Sequence, residues 1–174
     1  MPRSSQDSFS MEEYHPWTTY IDAREEARRR GDRIVGTEHL LLALTMEPAL
    51  ADLLGVKLQV ARDGLDAMDH EALRAVGLEI ALAPPPLPDV DPSRRPRRPT
   101  FKAVWQGRLP LTPAAKAVLQ ESSKEMRGFG GRHLGPQRVL EVLLQRERPD
   151  AAAELLVRLG VDSAEVRVRL KASG

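Results

Sequence analysis

Four histidines, a run of arginines and a glycine-rich turn are the groups in this chain with the plainest capacity for chemistry. His15, His39, His70 and His133 are scattered, without the H-E-x-x-H or paired spacing that gathers imidazoles on a metal. His39 lies in a leucine-rich stretch and reads as a capped or core histidine rather than a base. Gly128-Phe129-Gly130-Gly131 could cradle an anion with backbone donors, but a glycine turn in this place, answering Gly31, is better explained as a helix-ending device. Arg94-Arg95-Pro96-Arg97-Arg98 could touch phosphates or an acidic partner; its plainer reading is a solvated, charged linker. There is no G-x-x-x-x-G-K-[ST] phosphate loop, no G-x-G-x-x-G dinucleotide turn and no cysteine. An enzyme finds no support here, and neither a cofactor nor a metal is expected.

The elements that must position any binding site are helical. Hydrophobic residues make up 41% of 174 residues but aromatic residues only 4%, so the core must be aliphatic, as packed helices allow. Lys and Arg (26) almost cancel Asp and Glu (25), which argues against a nucleic-acid or membrane-surface protein. No apolar run approaches the ~20 residues needed to cross a bilayer, and the first residues lack the apolar centre of a secretory signal. A cytoplasmic protein is expected.

The chain says nearly the same thing twice. Gly36, Leu41 and Leu44 correspond to Gly135, Leu140 and Leu143 at constant spacing, and each copy closes on Leu-Gly-Val, at Gly55 and at Gly160. Such a repeat predicts two supersecondary units packed about a pseudo-two-fold axis. The expected organisation is a disordered tail over 1–13, a first repeat over 14–83, a Pro/Arg-rich linker over 84–100 and a second repeat over 101–174. Within the first repeat, Thr19 to Arg30 predicts a helix whose Arg24, Glu25, Arg28 and Arg29 form a solvated face. Thr37 is placed like the N-cap of the leucine helix, which should be deeply buried. Residues 57–83 predict two short helices. In the second repeat, Thr112-Pro113 predicts a capped helix start and Pro136 the first turn of the second leucine helix.

The stretch Arg-x-x-Gly-Asp-Arg-Ile-Val-Gly-Thr-Glu-His-Leu-Leu-Leu-Ala-Leu resembles the signature of the Clp N-terminal (Clp R) domain, the double repeat at the front of Clp-type AAA+ unfoldases. Gly107 to Lys116, GRLPLTPAAK, resembles the second repeat of the same family. The resemblance implies an all-α fold of two tandem four-helix repeats packed as a pseudo-two-fold bundle. It also implies a non-enzymatic role in docking adaptors and substrates, and in the ClpC branch the binding of phosphorylated arginine and cyclic-peptide antibiotics. Because the chain ends at Gly174 without an ATPase module, the expectation is a free-standing Clp N domain acting as adaptor, decoy or sequestering protein.

By that resemblance the ligand-binding candidates are Thr37, Glu38, Thr112 and Lys116, with a carboxylate to fork a guanidinium and hydroxyl, cation and helix N-terminus to hold a phosphate. Phe101, Trp105 and Phe129 are candidate apolar contacts, with packing between the repeats as the plainer reading of each. The two copies depart from the family pattern in opposite ways. Where the first repeat has Gly36-Thr37-Glu38-His39, the second has Gly135-Pro136-Gln137-Arg138; where the second has Thr112 and Lys116, the first has Glu13 and Trp17. If a pocket draws its halves from different repeats, Glu38 pairs with Thr112 and Lys116 in one working site; if each pocket draws on a single repeat, both are half-dismantled. Expected partners are Clp unfoldase or protease components, adaptors, degron-bearing proteins and cyclic peptides. The alternatives are a regulatory nucleic-acid binder using the basic linker, or a stress-related scaffold or holdase.

Overall fold

Two sets of four helices interlock so that each set is completed by the other. The computed structural model describes residues 16–78, 108–126 and 135–172. Among them, α1 (Pro16–Arg30), α2 (Thr37–Leu44), α3 (Pro48–Leu54) and α4 (Leu58–Ala75) come from the first repeat. The second supplies α5 (Pro113–Met126), α6 (Pro136–Leu143), α7 (Ala151–Arg158) and α8 (Ser163–Ala172). The tail 1–13, the linker 84–100 and the glycine-rich turn at 128–131 lie outside the described residues.

Helix ends follow from local chemistry. Proline occupies the first helical position of α3 and of α6, where a missing N–H costs nothing. The Thr112 hydroxyl accepts the Ala115 N–H at 3.1 Å, capping α5 as its sequence predicts. Asp162 caps α8 through the Ala164 and Glu165 amides. Gly55 and Gly160, the matched closing glycines, both take the left-handed conformation (φ 67° and 70°) that a side chain would penalise.

Packing expresses the pseudo-two-fold. Helix α1 lies on α6 as α5 lies on α2, and α3 lies on α8 as α7 lies on α4. The two leucine helices form the centre: Leu40, Leu41, Leu42, Leu44, Leu140 and Leu143 are all fully buried. Removing each such side chain from water stabilises the fold by roughly 2 kcal/mol before entropy is counted. Helix α2 touches α1, α4, α5, α6 and α7, which is why its sequence is apolar on nearly every side.

Three expectations need correction. Residues 58–75 form one continuous helix, not two, and Gly64 in its middle is a contact rather than a break. A Cβ there would stand 3.0 Å from Leu159 Cδ2 and 3.2 Å from Leu155 Cδ1, so the absent side chain is what lets α4 approach α7. The supposed solvated face of α1 is partly buried: Arg24 is covered, because α2, α5 and α6 enclose more of α1 than its own periodicity suggests. Its guanidinium is paired with Glu25 Oε1 at 2.9 Å. Thr37, finally, is not the cap of α2; Gly36 holds that position, and the Thr37 hydroxyl is used elsewhere.

A charged seam joins α1 to α4. Glu26 is buried, and Arg62 reaches it with Nε at 3.0 Å from Oε2 and Nη2 at 2.5 Å from Oε1. One turn on, Arg30 donates to Asp66 and Asp69 on α4 and, at 3.0 Å, to Asp32.

Candidate functional site

Two helix beginnings from different repeats are stitched side by side. The Val35 N–H donates to the Pro110 carbonyl at 2.8 Å, and the Thr112 N–H donates to the Val35 carbonyl at 2.9 Å, making an isolated parallel bridge between Val35 and Leu111. The Tyr20 hydroxyl adds a third tie, donating to the Leu109 carbonyl at 2.8 Å. Arg108 lies over the Trp17 ring at 6.0 Å, and Trp17 meets Tyr20 edge-on at 5.7 Å. Together these fix the lead-in to α5 against the lead-in to α2.

The bridge fixes where each candidate lies relative to the point at which the two repeats meet. Glu38 lies three residues beyond Val35, in the first turn of α2; Thr112 is the residue after Leu111 and caps α5. Lys116 lies one turn further, its N–H donating to the Thr112 carbonyl at 2.9 Å, so both belong to one face of the α5 start. Lys116 is exposed and Thr112 half-buried. Capping consumes a lone pair of the Thr112 hydroxyl and leaves its proton for a ligand. Lys116 lies near the start of α5, whose positive dipole end adds to its field.

Thr37 is buried beneath this surface. Its hydroxyl donates to Asp150 Oδ1 at 2.9 Å and accepts the Ala152 N–H at 3.3 Å. The same Asp150 oxygen accepts from Ala152 and Ala153, capping α7. The threonine is thus a cross-repeat staple that positions its neighbour Glu38. Phe101, Trp105 and Phe129 lie outside the described residues.

Glu38 folds back on its own helix start. Its carboxylate fills the space a side chain at Gly36 would take, and Oε1 is 3.0 Å from His39 Nδ1. His39 is buried, with Nε2 2.9 Å from Asp32 Oδ2, the oxygen that Arg30 also holds. Its Nδ1 is also 3.1 Å from the Gly36 N–H. Burial alone pulls the His39 pKa down, but the Glu38 and Asp32 carboxylates outweigh it and the net value rises above the ordinary 6.5. Asp32 and Arg30 are further members of this cluster, and their sequence signal is the dense Arg-Gly-Asp-Arg turn before the leucine helix.

The matching place in the second repeat is built differently. Gln137 is exposed and neutral, Arg138 pairs with Glu141 one turn along, and Trp17 stands where the other half has Lys116. The carboxylate that could fork a guanidinium is present in one copy only.

No protein-family model matches the chain. It is 32% identical over 151 residues to the chloroplastic chaperone ClpC of Pisum sativum and equally so to the chloroplastic ClpC1 of Arabidopsis thaliana. Those alignments span 85% of this chain but only 13% of each relative. Among solved structures, the N-terminal domain of the caseinolytic protease associated chaperone ClpD from Arabidopsis thaliana superposes with a TM-score of 0.57 at 19% identity, covering 95% of this chain and 99% of that one.

Proposed function

Since the chain has the Clp N-terminal-domain fold and aligns with ClpC chaperones, we propose that it is a non-enzymatic peptide- and protein-binding module of the Clp protease system. In this reading it takes degron-bearing substrates, adaptors or Clp-directed cyclic peptides, and acts as an adaptor or decoy. The contact set is Glu38, Thr112 and Lys116, with Thr37 positioning Glu38 from below. The observation that supports it most is the Val35–Leu111 bridge, which sets the lead-in to α2 beside the lead-in to α5. In this reading a carboxylate from one repeat works with a hydroxyl and an ammonium from the other, the complement that a phosphorylated guanidinium requires. Since only one copy retains the carboxylate, each chain binds one such ligand.

Titration calorimetry with phosphoarginine tests this. The native protein should bind at one site, and Glu38→Gln and Lys116→Ala should each weaken binding by about tenfold or more, as lost charge-assisted bonds do. Unchanged affinity in both variants would move the site elsewhere. No heat with the native protein would discard phosphoarginine as a ligand. The decoy role predicts that added protein slows degradation of a tagged substrate by a Clp unfoldase and protease, and that Glu38→Gln abolishes the slowing.

A further inference from the structure

One nitrogen has two partners that make opposite demands on it. His39 Nδ1 stands 3.1 Å from the Gly36 N–H, a donor that requires a lone pair. It also stands 3.0 Å from Glu38 Oε1, an acceptor that requires a proton. Both cannot be served at once. With His39 neutral, Nδ1 accepts from Gly36 and Nε2–H donates to Asp32, while the lone pairs of Nδ1 and the Glu38 carboxylate repel. With His39 charged, Nδ1–H donates to Glu38 and the Gly36 amide loses its acceptor.

The geometry points to His39 as a proton-operated latch on Glu38: protonation holds the carboxylate inward against the imidazole, and deprotonation frees it to accept a cationic ligand. The consequence for ligand binding rests on the reading of Glu38 as the guanidinium-accepting group; the latch itself does not. The surrounding charges are accounted for element by element. From the α1 side come Asp32 and Arg30, which share one carboxylate oxygen with His39. Helix α4 contributes Asp66 and Asp69, both taken by Arg30. Before α7, Asp150 is committed to Thr37. Of the helices that pack on α2, α5 carries Lys116 and α6 carries Arg138, which is paired with Glu141. Glu38 and Asp32 are therefore the two carboxylates in direct contact with the ring. Of these only Glu38 has no other ion-pair partner among the described residues, so it is the one that a change at His39 sets loose.

The latch implies reciprocity: whatever holds Glu38 outward must lower the affinity of His39 for its proton by the same factor. It is tested first without ligand, by a pH titration of the labelled protein followed at the His39 ring nitrogens and the Gly36 amide. Above the transition Nδ1 should be unprotonated and the Gly36 amide hydrogen-bonded; both should titrate together, and Glu38→Gln should shift the transition to lower pH. A Gly36 amide indifferent to His39, or a transition unmoved by Glu38→Gln, would overturn the latch. The binding arm compares phosphoarginine affinity above and below the transition. It should fall about tenfold on acidification. The fall should vanish in His39→Gln, whose side chain can accept from the Gly36 amide without titrating. If native protein binds equally at both pH values, gating is disproved even though the site stands. If it binds at neither, the site assignment fails while the nitrogen titration still decides the latch.

Discussion

Thr37 and Asp150 are joined by a 2.9 Å hydrogen bond that ties the first turn of α2 to the N-cap of α7, across the two repeats. The bond makes the position of Glu38 dependent on a loop more than a hundred residues away in sequence. Thr37→Val should keep the volume, lose the bond and leave Asp150 Oδ1 without its hydroxyl donor, while the Ala152 amide keeps its 3.0 Å bond to Asp150, at a cost of about 1–2 kcal/mol by urea unfolding. Thr37→Ser should recover most of it. A Thr37→Val protein as stable as the native one would show that the staple contributes nothing.

The Glu26–Arg62 pair makes a larger claim. Glu26 is 3% exposed at its side chain and Arg62 20%, so removing the arginine strands a carboxylate out of reach of water. Arg29 keeps one contact with it, at 3.1 Å. Arg62→Met should therefore cost about 3 kcal/mol, and the double change with Glu26→Gln should cost clearly less than Arg62→Met alone. Equal losses in the single and double variants would mean that the penalty is packing, not charge.

Asp22 should be a place where the native residue lowers stability at neutral pH. Burial first, then the neighbouring Glu47, Glu25 and Glu26 carboxylates, push its pKa from 3.8 up to about 6. A carboxyl with a raised folded pKa favours the fold fully below its unfolded value and loses that contribution as pH rises through the folded one. Here the loss runs from about pH 4 to about pH 6. Because the group is only half-buried, solvent screening reduces the effect to ~1 kcal/mol. Asp22→Asn should raise the melting temperature at pH 7 and lose its advantage near pH 4. An advantage independent of pH would point to hydrogen bonding instead.

What the sequence made legible was local. Thr112-Pro113, Pro136 and the paired closing glycines act within one helical turn, so their positions could be read from residue type alone. The repeat itself disclosed the pseudo-two-fold, because two copies of one apolar pattern must cover each other. The long-range partners stayed hidden. Nothing beside Thr37 announces Asp150, and the turn carrying Asp32 gives no sign that His39 and Arg30 converge on one oxygen. The complementary departures of the two copies were readable in the sequence, but the Val35–Leu111 bridge that ties the start of α2 to the start of α5 was not.

Gly64 offers the sharpest check on how the halves interlock. Taken by itself, a glycine in the middle of α4 should destabilise that helix by about 1 kcal/mol relative to alanine. In place, it faces Leu155 of α7 and Leu159 at the C-cap of that helix. Gly64→Ala sets the propensity gain against two contacts near 3 Å and should come out close to neutral. Gly64→Val adds more bulk against the same two leucines and removes the propensity gain as well. It should destabilise by about 2 kcal/mol, as overpacking does. Differential hydrogen exchange would then locate the damage. Faster exchange should appear in both α4 and α7, because the two helices are from different repeats but bury one surface. Exchange confined to α4 would mean that the glycine matters only to its own helix, and that the close approach to α7 does not hold the halves together.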